Sequence, residues 1–138
     1  MPTTLAVIED ALREINVISE VDSASSEQGS FALRKLNQMM ALWEERDINN
    51  LGWYPQPNTS GTIPIPDYAE LAVTTGLAIA LAPKYGASIS AELAAVAQSA
   101  FSTVQRKSIS EKLDNADMSH LPFGTGETQG RYDIERDS

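Results

Sequence analysis

His120 is the only histidine in the 138-residue sequence, and there is no cysteine. A metal site would therefore need carboxylates beside His120, and Asp114 and Asp117 are the nearest. One imidazole and two spaced carboxylates in an aperiodic stretch make a poor cage, so an exposed histidine and no metal are expected. Glu9–Asp10 and Glu44–Glu45 are adjacent acids. Neighbours on a helix do not converge on one point, so both pairs read as solvated faces. "GTG" at Gly124 to Gly126 lacks the lysine and following helix of a phosphate loop. "NTS" at Asn58 to Ser60 matches a glycosylation acceptor, but the chain does not open with a basic segment and an apolar h-region, so secretion is not expected. Without cysteine there is no thiol nucleophile, thiolate site or disulfide. No acid–base set converges, so neither catalysis nor a cofactor is expected.

Charge narrows the partners. The net charge is −9, which opposes a grip on DNA or on an anionic membrane by a broad basic face. Acidity also serves plain solubility. The longest uncharged stretch, Leu71 to Ala82, is too short to span a bilayer and contains Thr74, Thr75 and Gly76.

The elements that would position any site are helical. A first helix is predicted from Thr4 to Asn16, with Leu5, Ile8, Leu12 and Ile15 on one stripe and Glu9, Asp10, Arg13 and Glu14 facing away. A second runs from Ser25 to about Asp47, opened by capping-box spacing at Ser25 and Gln28. Its stripe of Ala32, Leu36, Met39, Met40 and Trp43, with Phe31 and Leu42 at the margin, is wide enough for two neighbours. A third begins at Asp67, where Asp67 and Glu70 have capping-box spacing. Its apolar residues spread round the whole axis, which calls for burial on all sides or for a subunit boundary. In "ALAPKYGASIS" (80–90), Pro83 should end or kink this helix, Gly86 can close it in the left-handed region, and Ser88 or Ser90 can cap the next. That fourth helix runs from Ser90 to Lys107 or Lys112, with Leu93, Val96, Ala97, Ala100, Phe101 and Val104 on its stripe. The fold class is all-α: an antiparallel bundle of about four helices.

Two segments fall outside the helices. "INNLGWYPQPNTSGTIPIP" (48–66) holds four prolines and two glycines, a density no helix survives. Alternation at Ile63 and Ile65 admits a short β flap. Trp43 reads as core. Trp53 and Tyr54 in the flap read equally as a local plug or as a partner contact. Lys84 and Tyr85 read as parts of a structural turn. Residues 113–138 carry six acids against two arginines and show no helical period, so an extended C-terminal arm is expected after a helical domain of residues 1–112. Leu121 and Phe123 form one apolar anchor in the arm, Tyr132 and Ile134 another, each suited to ordering on a partner.

"LAIALAPKYG" followed by a serine-started, alanine-rich helix resembles a stretch of phage head-to-tail connector proteins, the tail accessory or packaged-DNA-stabilising adaptors of short-tailed phages. "TTLAVIEDALREINVIS" resembles their first helix and loop. "SFALRKLNQMMALWEERDI" resembles their second, with Leu36, Asn37 and Trp43. "LPFGTGETQGRYDIERDS" is similar to their closing tail. The resemblance implies a virion protein at the head–tail interface, assembled in the host cytoplasm. It implies a ring of about twelve copies that docks under the portal protein, extends the DNA channel and carries the next tail or nozzle protein, with DNA passing through unread and no membrane involved. A small acidic helical regulator that binds one protein partner is the alternative from the residues alone.

Overall fold

The computed structural model describes residues 1–115. Four α-helices make up an all-α fold: α1 (Thr4–Glu14), α2 (Ser26–Glu45), α3 (Glu70–Tyr85) and α4 (Ala91–Asn115). A short 3-10 turn at Asp67–Ala69 leads into α3. There is no strand among the described residues, only one antiparallel bridge between Thr3 and Thr62.

Each helix start is set by a short polar side chain or by its absence. The Thr3 hydroxyl accepts from the Ala6 amide at 3.0 Å and opens α1. The expected capping box at Ser25 and Gln28 is present in full, with reciprocal bonds of 3.1 and 2.9 Å. Asp67 does not cap α3. It enters the 3-10 turn instead, and Ala69 stands at the N-cap with no side-chain bond. Ser90 caps α4, its hydroxyl accepting from the Leu93 amide at 3.0 Å.

α3 is the central element and packs against α1, α2 and α4. Val73, Leu77, Ala78 and Leu81 are fully enclosed. This is the physical use of an uncharged circumference: three neighbours require apolar contact on three sides. Gly76 is part of the same fit, since a Cβ there would lie 3.3 Å from the Met39 sulfur. The enclosure is not complete. Leu71 is 55% exposed.

The third helix does not end before Pro83. It continues to Tyr85, and Gly86 closes it at φ 63°. Pro83 lies in the last turn, so its missing amide forfeits a single bond, that to the Ile79 carbonyl, while burial of Leu81 and Ala82 on the same turn holds the helix. α4 also runs longer than expected, to Asn115. The Tyr68 hydroxyl donates to Glu111 at 2.9 Å, and Lys112 donates to the Asp47 carbonyl, so both neighbours reward the extra turns. Conversely α1 stops at Glu14, where Asn16 turns left-handed at φ 61°.

Residues 48–66 are held against the helices, with Ile63 and Ile65 at 0% and 3% exposure and Ile48 and Leu51 also buried. The segment does not pair with itself. Three of its backbone bonds go to the start of the chain: Thr4 N–H to the Gly61 carbonyl, Leu5 N–H to the Thr59 carbonyl, and Ile63 N–H to the Pro2 carbonyl. Prolines at 55, 57, 64 and 66 remove the donors that a self-paired hairpin would use. Gln56 is buried and clamped by Asn37 of α2, whose side chain accepts from the Gln56 amide at 2.9 Å and donates to its carbonyl at 3.1 Å.

Candidate docking site

Leu71 marks the one place where α3 reaches solvent with a large apolar side chain. It forms a wall of an open groove of about 400 Å³ with Tyr68, Val96, Ala100, Ser99 and Thr103. Val96 was expected on the buried stripe of α4. It is 42% exposed, because the buried stripe of α4 is Leu93, Ala97, Val104 and Ser108 instead, the last bonded to Asn50. The spacing of these four (4, 7 and 4 residues) keeps one face inward and turns Val96 about a quarter of a turn away. Small residues at 95, 99 and 100 leave the groove floor shallow. Ile109 and Leu113 are also exposed, but thirteen and seventeen residues on from Val96 they lie on another side of α4, away from the groove.

Tyr68 closes the groove at one end. Its phenol pKa is raised to about 12, first by burial and then by the hydrogen bond and charge of Glu111, all of which disfavour phenolate. Lys107 stands 5.7 Å from the ring centroid. Nothing in this arrangement is a nucleophile–base pair. Among the described residues no three His, Cys, Asp or Glu side chains gather as a metal site, and no helix is long and apolar enough to cross a membrane.

No family model matches the chain, and no curated protein matches it significantly.

The residues singled out in the sequence separate cleanly. Trp43 is core, 5% exposed, and meets Phe101 of α4 edge to face at 5.1 Å between ring centroids. Trp53 is half-buried against the core and Tyr54 is 58% exposed, so adjacent aromatics take opposite surroundings. Leu121, Phe123, Tyr132 and Ile134 lie outside the described residues, as do His120 and Asp117. Glu9 is not a free solvated acid: it accepts from the Ala24 amide at 2.9 Å and lies 4.0 Å from Arg13. It ties the α1–α2 connection down, a role that adjacency to Asp10 does not announce. Glu44 and Glu45 are exposed as expected. "NTS" forms a local turn in which the Asn58 carboxamide oxygen accepts from the Ser60 amide and hydroxyl at 3.0 and 2.7 Å.

Sequence reasoning missed the Leu71 groove and the Asn37–Gln56 clamp. Leu71 begins an uncharged run, and no periodic signal separates it from the buried leucines that follow. Asn37 flanks the apolar stripe of α2, half-buried, and a half-buried amide there calls for a polar partner, which the backbone of Gln56 supplies.

Proposed function

We propose that this chain is a virion structural protein, a head-to-tail adaptor that works by oligomeric docking and without catalysis. It docks as a ring under the portal, extends the DNA channel after packaging and presents a platform for the next tail protein. The four helices form an antiparallel bundle in this reading, residues 48–66 are its flap, and the residues after α4, 116–138, are an arm that reaches the portal or a neighbouring subunit. Trp53, Tyr54 and the arm residues Leu121, Phe123, Tyr132 and Ile134 are the proposed contact side chains.

The observation that supports the reading is the way "LAPKYG" closes the central helix. Gly86 ends α3 in the left-handed region, Ser90 caps the alanine-rich α4, and the two helices pack along a face that leaves Leu71 and Val96 open. This is the stretch that carries the resemblance, and its open apolar groove suits a neighbouring subunit. The acid excess suits a channel through which DNA slides.

Mass measurement of the 14.9 kDa chain, alone and with an isolated portal ring, tests it. The expected result is a complex holding one adaptor per portal subunit. Absence of any portal complex, together with a one-to-one complex with a single unrelated protein, would replace this reading by that of a small acidic regulator.

A further inference from the structure

The two ends of α3 carry opposite charge on different sides of the molecule. At the C-terminal end, Lys84 stands over the Phe31 ring of α2, with Nζ 4.8 Å from the ring centroid. Arg34 and Lys35 follow Phe31 by three and four residues, so they share its face of α2. Each places its cationic group 5.7 Å from the same centroid. The ion pairs among the described residues all belong to Arg13, so none of these three cations has a carboxylate within 4.0 Å there. An open hollow of about 640 Å³ lies beside them, with Tyr85, Ser30 and one acid, Glu27, in its wall. Three cations gathered on one aromatic ring repel each other, and contact with a half-buried ring offsets only part of that. The patch calls for an apolar body flanked by carboxylates.

Such a surface exists on the same chain. At the N-terminal end of α3, a hollow of about 570 Å³ is lined by Asp10, Glu14, Asp67 and Glu70 around the exposed Leu71. Arg13 also lines it but is engaged, with Asp10 at 3.2 Å and with the Ser19 and Asp22 carbonyls at 3.2 and 2.9 Å. Leu71 and Lys84 are thirteen residues apart on α3. That places the two patches about 20 Å apart along the axis and about 140° apart around it. One molecule cannot bring them together, whereas two copies can.

We propose that the Phe31–Lys84 patch of one copy docks in the Leu71 hollow of the next. The contact is heterologous: each copy offers a basic aromatic knob at one end and an acidic apolar socket at the other. Repetition of such a contact closes into a ring when the rotation between copies permits. The proposal rests on the ring reading above and names the surfaces that make it. An extended polyanion such as duplex DNA fits the basic patch poorly, because the surrounding chain has a net charge of −9 and repels phosphate beyond the patch.

Sedimentation velocity on the full chain between about 10 μM and 1 mM, at low and high salt, tests it. The parent should associate, and high salt should weaken this by about tenfold or more. One variant carries Arg34→Glu with Lys84→Glu and is acidic at both ends. The other carries Asp67→Lys with Glu70→Lys and is basic at both. Each alone should stay monomeric with parental helical content, and an equimolar mixture of the two should associate again. Variants that associate like the parent, a mixture that stays monomeric, or a parent that is monomeric throughout would overturn the proposal. So would duplex DNA binding that Arg34→Glu with Lys84→Glu removes while self-association persists. Portal binding by the parent is scored separately, so a failed contact between copies and a failed adaptor reading give different results.

Discussion

Leu77→Ala isolates how much of the fold depends on the central helix. Leu77 is 0% exposed on α3, and Leu71, six residues earlier on the same helix, is 55% exposed. The substitution removes three carbons, about 2.4 kcal/mol of transfer free energy when the site is wholly buried. Helices α1, α2 and α4 surround α3 and cannot all collapse into the gap, so a cavity term brings the cost to about 3.5 kcal/mol. At Leu71 less than half of the transfer is at stake and no cavity forms, giving about 1 kcal/mol. With an unfolding entropy of about 2.1 cal/mol/K per residue, these become losses in Tm of about 12 °C and about 4 °C. Thermal unfolding followed by circular dichroism at 222 nm reads both. Equal shifts for the two variants would refute the assignment of Leu77 to the core and Leu71 to the surface. Leu77→Asp goes further, burying an unpaired charge, and should abolish folding, whereas half-buried Ile79→Asp should retain helical structure at reduced stability.

Asn37→Ala strands both backbone groups of buried Gln56, and chemical denaturation should show a loss of about 1–3 kcal/mol. Gly86→Ala places a Cβ where nothing lies within 4 Å, so the cost is purely conformational at φ 63°, and the same assay should read about 1 kcal/mol. Tyr68 should ionise well above an ordinary phenol, at about 12, and Tyr68→Phe should remove that last step from the absorbance titration at 295 nm. Because the folded pKa is the raised one, its contribution to stability is complete below the unfolded value near 10 and is lost as pH rises from there to about 12. Truncation after Asp117 keeps every buried residue named above, the last of them Ser108, so helical content should persist while co-sedimentation with the portal is lost. Full co-sedimentation by the truncated chain would return the docking role to residues 48–66.

The helices were legible because their signals are local. Ser25 and Gln28 sit three apart, Ser90 precedes an alanine-rich run, and Gly86 stands where a helix must close, so neighbours within one turn decide these ends. The apolar circumference of α3 likewise announced a central position, since only enclosure makes an uncharged helix stable in water. Tertiary contacts decided what local rules left open. Pro83 reads as a stop, yet the helix passes it because burial of the same turn outweighs one lost hydrogen bond. Ile63 and Ile65 read as half of a flap, yet their segment bonds to Pro2, Thr4 and Leu5, more than fifty residues away in the chain. Val96 and Leu71 read as core by type and spacing, and which apolar residue stays in water depends on where α4 crosses α3. The gathering of Lys84 with Arg34 and Lys35 over Phe31 is of the same kind. Phe31 to Lys35 is a helical repeat visible in the sequence, but Lys84 joins it only because the packing of α3 on α2 brings two distant turns together.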